Sequence, residues 1–257
     1  MASWLKHPSY VPIREGLITH LRRTRYRFRR LDPVIFLCGG AGRKSRDALR
    51  NYLHKHAPDL GIFYAEKVWE HIAEFGERDA LQMEAELASL ADLVVIIVES
   101  PGTFTELGAF SLSPPLRKKL LTIVDERYRD ESSFISNGPL RWIDNESDFR
   151  PTIYVDLSVV LDAIEQIEER IGRIPKSHSV KISDLAASPK HLLFFLCDLL
   201  AVIFPATIEM ITYYLSEISP SILSSNINVP TLIGLGVAMG LFRGESVTEN
   251  EIGRAHV

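Results

Sequence analysis

The chain is organised by apolar runs separated by polar, glycine-bearing turns. Residues 34–38 (VIFLC), 93–98 (LVVIIV) and 120–124 (LLTIV) are continuous hydrophobic stretches. Such runs are expected of strands covered on both faces of a parallel sheet, whereas a half-solvated strand alternates. Shorter strands are expected at 61–65 and 152–155. Between them the apolar positions recur at helical spacing. Ala48, Leu49, Tyr52 and Leu53 share one face of a helix that Ser45 would N-cap. Further helices are expected around 68–75, from about Asp79 to Leu90, from near Phe104, and over 159–171 (VVLDAIEQIEERI). Strands alternating with helices at this spacing imply βαβ units. The fold class predicted is α/β, a Rossmann-like parallel sheet flanked by helices over residues 34–172.

The pattern changes after that. Residues 173–188 read as a linker. Residues 189–204 and 206–218 are apolar helices, 219–228 is a loop rich in Ser and Asn, and 229–242 (VPTLIGLGVAMGLF) is a third helix. Three helices ending in Gly-Leu-Phe-Arg resemble a winged-helix domain, so 189–250 is expected to be a small, mainly helical, DNA-binding unit lacking its wing. The last seven residues, 251–257 (EIGRAHV), match the translation of a common sequencing-adapter oligonucleotide. They are expected to be non-native, with the natural chain continuing beyond about Asn250.

A membrane span needs about 20 apolar residues with few charges. The apolar run after residue 189 carries Asp198 and is stopped by Pro205, so two buried helices are expected and no membrane association. With no signal peptide legible at the start, a cytoplasmic protein is expected. Cys38 and Cys197 lie inside apolar runs, without disulfide or metal-ligand spacing. They read as small buried hydrophobes, and neither they nor His54, His56 and His71 suggest a metal.

The net charge of −4 is mild, but its distribution is uneven. Residues 1–33 form a basic arm in which Arg22, Arg23, Arg25, Arg27, Arg29 and Arg30 surround Tyr26 and Phe28. Two readings stay open: a solvated arm packing its aromatics on the core, or a surface that contacts nucleic-acid phosphates.

Two turns carry candidate chemistry. After the first strand, Gly39, Gly40 and Gly42 precede a helix, the order that lets backbone N–H groups and a helix N-terminus receive a phosphate. After the strongest strand comes SPGTFTELGA (residues 100–109). Ligands of open α/β sheets collect at the carboxyl edge of the strands. Glu106, expected in the first helical turn, would be an anion favoured by the helix N-terminus, suited to act as nucleophile or electrostatic stabiliser at an anomeric carbon. Thr-x-x-Glu is also a capping box, so a purely structural role for Glu106 competes. Asn137-Gly138-Pro139 reads as a turn, and Trp69 and Trp142 as core or pocket lining.

Ala91-Asp92, the apolar strand after it, and Gly102, Thr103, Glu106 and Gly108 resemble the nucleoside 2-deoxyribosyltransferases and their N-glycosidase relatives. The resemblance implies that Glu106 is the catalytic carboxylate. It implies an upstream acid at Glu84, with Asp79 as the competing choice, and substrate contacts from Gly39, Gly40, Gly42, Ser100, Gly102 and Thr103. Ser100 stands where the family has an Asp, which shifts the expectation from base transfer to hydrolysis. The arginine-rich start, the glycosidase-like domain and the winged-helix-like tail together resemble the effectors of bacterial retrons. That resemblance implies an antiphage toxin that cleaves a nucleotide such as NAD+, without a cofactor. It also implies partners, a reverse transcriptase and a multicopy single-stranded DNA that hold it inactive, while the likeness to the glycosidases implies self-association. The alternative is a nucleotide-sensing DNA-binding regulator without catalysis.

Overall fold

The structure, a computed structural model, describes residues 7–23, 33–66, 80–175, 182–224, 229–241 and 243. Five parallel strands form one sheet in the order β2-β1-β3-β4-β5: β1 Val34–Cys38, β2 Gly61–Phe63, β3 Leu93–Val98, β4 Leu120–Asp125 and β5 Ile153–Val155. β1 pairs with β2 on one side (Val34 opposite Gly61) and with β3 on the other (Ile35 opposite Leu93). The α/β Rossmann-like expectation holds.

Every residue of β1, β3 and β4 is buried, and the two-residue strand period divides them between two apolar clusters. Val34, Phe36, Cys38, Val94, Ile96 and Val98 face one side, with α1 (Val11–Arg23), α3 (Ala80–Leu90) and α4 (Pro101–Leu112). Ile35, Leu37, Val95 and Ile97 face the other, with α2 (Lys44–His56) and α6 (Ile164–Ile171). α5 is Arg141–Glu146.

The C-terminal helices α7 (Pro189–Ile203), α8 (Ile208–Ile218) and α9 (Val229–Ala238) contribute Leu192, Phe195, Met210, Tyr214 and Leu235 to the first cluster. They share their apolar core with the sheet, and no strand follows β5 among the described residues. Within residues 173–188, a 3-10 turn, Ile182–Ala187, buries its Ile182 and Leu185.

Two further expectations are corrected. The helix foreseen over 159–171 is split: Asp156 caps a 3-10 turn, Leu157–Ala163, by accepting from the Ser158 N–H at 2.8 Å. Val159 then leaves helical geometry at φ −130°, ψ 46°. The Asn137-Gly138-Pro139 turn lies inside a wide helical turn, Ser136–Leu140, that runs into α5. Among the described residues no single helix is long and apolar enough to cross a membrane. α7 and α8 reach that composition only together, across a 113° bend.

Candidate active site

The chain enters the sheet at β1, steps outward to β2, then crosses back to β3 on the other side of β1. That reversal opens a crevice outside the carboxyl ends of β1 and β3, where ligands of such sheets bind. The turn after β1 (residues 39–43), Glu66 beyond β2, the turn after β3 (residues 99–100) and Glu84 on α3 supply its polar groups.

α4 starts three residues earlier than the Thr-x-x-Glu pattern suggests. Ser100 is its N-cap: its hydroxyl accepts from the Thr103 N–H at 3.3 Å, and the Thr103 hydroxyl accepts from the Ser100 N–H at 2.9 Å. Pro101 occupies the first helical position, which suits a residue without an N–H. The capping box is therefore Ser100–Thr103, and Glu106 is no part of it. Thr103 is 1% exposed, and its hydroxyl also accepts from the Glu99 N–H and donates to the Ser100 carbonyl. It is engaged with the fold through both its donor and its acceptor. The Ser100 hydroxyl is likewise engaged as the cap. Gly102 is exposed, and a Cβ there would find only Ser100 Oγ, at 3.8 Å; the site is open at that point.

Glu106 stands in the second turn of α4, past the helix start. Its Oε2 is buried and has no hydrogen-bond partner among the described residues. Burial, with the negative charge of Glu84 next, pushes its carboxyl up to about 7; Glu66 adds to the push, while the Cys38 thiol and Arg46 oppose it. The expectation of an anion settled by the helix N-terminus is corrected. Desolvation and a like charge outweigh a dipole whose effect fades within the first turn. Glu84 is itself raised by burial and by Glu66. Glu84→Gln is expected to move the Glu106 midpoint downward, because the repelling charge is removed. Carboxyl titration by NMR would show it, and an unmoved midpoint would separate the two residues.

The glycine turn is occupied from within. Gly42 takes the left-handed conformation, φ +69°. The Gly40 N–H donates to Glu99 Oε1 at 3.0 Å, and the Ser45 hydroxyl donates to Glu99 Oε2. The expected phosphate cradle therefore holds a carboxylate. Ser45 is not the N-cap of α2: Arg43 is, and Ser45 sits buried in the first turn. Glu99, at the end of the strongest strand, was missed in the sequence.

Arg46 was also missed. It is 8% exposed, donates to the Gly39 carbonyl at 3.1 Å and to Glu66 Oε1 at 2.6 Å, and lies over the Tyr64 ring at 4.4 Å. Its methylenes fill the place a Cβ on Gly39 would need, within 2.8–3.0 Å, so Gly39 is a packing glycine. Burial pushes the Tyr64 hydroxyl up to about 12.

Of the basic arm, Arg22 donates to the Glu217 carbonyl at 2.6 Å and to its carboxylate at 3.2 Å, joining α1 to α8. The side chain of Arg23 and all of Arg25, Arg27, Arg29 and Arg30 lie outside the described residues, as do Trp69, His71 and Asp79. Trp142 is on the surface, 43% exposed, beneath the Arg117 guanidinium. Cys38 is buried beside Glu106, and burial with the surrounding carboxylates holds its thiol well above its ordinary range. Cys197 is half-buried and donates to the Leu193 carbonyl.

Among curated proteins, a stretch of 132 residues is 41% identical to the Escherichia coli "Retron Ec86 putative ribosyltransferase/DNA-binding protein", covering 49% of this chain and 43% of that one. A stretch of 125 residues is 36% identical to the E. coli "Retron Ec73 putative ribosyltransferase/DNA-binding protein", covering 46% and 40%. The chain thus matches less than half the length of these relatives. Residues 42–243 match the family described as STM3845 retron effector protein. This span includes α2, the Glu99–Glu106 segment and the C-terminal helices, so the chain belongs to the STM3845 retron effector family.

Proposed function

We propose that the chain is an N-glycosidase acting on a nucleoside or nucleotide such as NAD+, with Glu106 as the reacting carboxylate. The observation that carries this reading is the Glu106 oxygen left buried and unpaired at the sheet's switch point. A buried carboxyl oxygen without a partner costs stability, and such costs concentrate where chemistry uses them. The ionised carboxylate would bond to the anomeric carbon, or stabilise its positive charge, as the base leaves with the C–N electron pair. Water would then add hydroxide to that carbon, any ester bond to Glu106 breaking with its electron pair to regenerate the carboxylate, and the water proton would balance the charge of the departed base. Glu84, within electrostatic range of Glu106, is proposed to meet ribose or base. The word "ribosyltransferase" in the relatives' names agrees with glycosyl chemistry, and Ser100, in place of the family's Asp, favours hydrolysis over transfer.

In the cell this reaction makes the chain a toxin of antiphage defence, restrained by the retron reverse transcriptase and its multicopy single-stranded DNA. The "DNA-binding" of the relatives' names and the arginines of residues 23–30, beyond the Arg22 that pairs with Glu217, support a nucleic-acid partner. Chromatography of NAD+ and a nucleoside panel incubated with the protein, alone and with the reverse transcriptase–DNA complex, tests the proposal. Free base is expected from the protein alone and suppressed release with the complex. If no base appears from any substrate, the nucleotide-sensing regulator becomes the better account.

A further inference from the structure

The turn between β1 and α2 holds an anion, and the chain supplies that anion with its own side chain. A helix N-terminus nearby favours negative charge. Glu99 has both carboxylate oxygens bonded, one to the Gly40 N–H of the turn and one to the hydroxyl of Ser45 in the first turn of α2. Its backbone is held as firmly: the Glu99 N–H donates to Thr103 Oγ1 at 3.0 Å, and Val98, just before it, is 2% exposed. A Cβ on Gly40 would stand 2.5 Å from Arg43 Cγ of the same turn and 3.4 Å from Ser100 Cβ across the gap, so glycine lets the Arg43 side chain fold over this turn.

We infer that Glu99 determines specificity by holding the anion's place at the switch point, which keeps phosphate out of the β1–α2 turn. A phosphate entering there would have to expel a tethered carboxylate from two hydrogen bonds and then sit beside it. Like charges at contact distance repel strongly even at a moderate effective dielectric constant. The phosphates of any nucleotide cleaved at Glu106 therefore lie away from this turn. Only that consequence for the substrate rests on the proposed glycosidase reaction; the exclusion of phosphate does not.

The test is a titration of inorganic phosphate into the wild-type chain, Glu99→Ala and Glu99→Gln, with chloride matched for ionic strength. Thermal shift and the Gly40 amide resonance are the readouts. The wild type is expected to show no saturable phosphate effect beyond the chloride control. Glu99→Ala is expected to gain saturable stabilisation in the millimolar range, at least tenfold tighter than any wild-type response, with the Gly40 amide shifting in step. Glu99→Gln keeps the size and one acceptor without the charge, serves if the Ala variant does not fold, and is expected to gain a weaker response. Saturable phosphate binding at the Gly40 amide of the wild type would overturn the inference, and so would variants that bind phosphate no better than it does. Because these readouts need no turnover, a failed base-release assay leaves them interpretable. Where turnover is seen, a merely structural Glu99 would slow nucleosides and nucleotides alike, whereas the specificity role changes their ratio and makes the variants sensitive to inhibition by phosphate.

Discussion

Glu106→Gln is expected to lower base release by about 10³-fold or more while making the protein more stable at pH 8. The first half follows from the proposed role. Losing one electrostatic stabiliser costs about 10²–10³ in rate, and losing a nucleophile costs more. The second half follows from the environment of the carboxyl. Its folded-state midpoint is about 7 against an ordinary 4.5, so the folded protein binds that proton more tightly than the unfolded chain does. Below about pH 4.5 the group is protonated in both states and carries no penalty. As pH rises through 4.5 to 7, the unfolded chain ionises freely while the folded site resists, and the penalty is fully present above 7. A shift of this size corresponds to roughly 3 kcal/mol. The amide never ionises, so the Gln variant escapes the penalty, and its Tm should rise by roughly 5–10 °C at pH 8 with little change at pH 5. Calorimetry at both pH values reads this directly. A Tm that does not rise at pH 8 would mean that burial and Glu84 do not penalise the ionised carboxyl. The same midpoint predicts that base release falls about tenfold per pH unit below 7 and levels off above it, because the ionised form is the reactive one.

What the chain disclosed in advance follows the range of the interactions involved. VIFLC and LVVIIV were legible as buried parallel strands because burial on both faces removes the alternation of a half-solvated strand. That Glu106 lies on the helix after the strongest strand was legible because it depends on local sequence, but its turn was not, since the helix begins at Pro101 and places Glu106 in the second turn. Its charge state was not, since burial and the charge of Glu84 come from packing. Glu99 went unseen as the occupant of the glycine turn because its partners, Ser45 and Gly40, lie 54 and 59 residues away. The capping box was misplaced because Ser100 and Thr103 both have side chains able to cap. Pro101 was the discriminating signal, since proline belongs at the first helical position. The joining of the C-terminal helices to the sheet was hidden for the same reason as Glu99: it depends on long-range packing into the sheet's apolar cluster and on a contact between residues 92 and 190.

That contact carries the second large expected effect. Asp92, which closes the loop into β3, donates its N–H to the Val34 carbonyl at 2.8 Å, and its Oδ2 accepts from the Val34 N–H at 2.8 Å. The same Oδ2 accepts from the ammonium of Lys190 in the first turn of α7, a residue only 8% exposed. Lys119 adds a second ammonium nearby, held below its ordinary range by burial and by Lys190, while bonding the Ser89 and Ala91 carbonyls. Removing one partner of a buried ion pair leaves an uncompensated charge and costs about 3–5 kcal/mol, whereas replacing the pair with matched neutral groups is often close to neutral. Asp92→Ala is therefore expected to destabilise by about that amount, since it strands Lys190 and the Val34 N–H together. Lys190→Met combined with Asp92→Asn keeps an acceptor for the Val34 N–H, and an aliphatic stem in place of lysine's. This double variant should recover most of the loss in urea unfolding. If Asp92→Ala costs under about 1 kcal/mol, or the double variant recovers nothing, the pair does not fasten α7. The pair lies at the amino ends of β1 and β3, the opposite end of the sheet from Glu106. Asp92 of the Ala-Asp motif thus serves the fold, and the double variant should keep its pH midpoint for base release near 7 even where its stability differs.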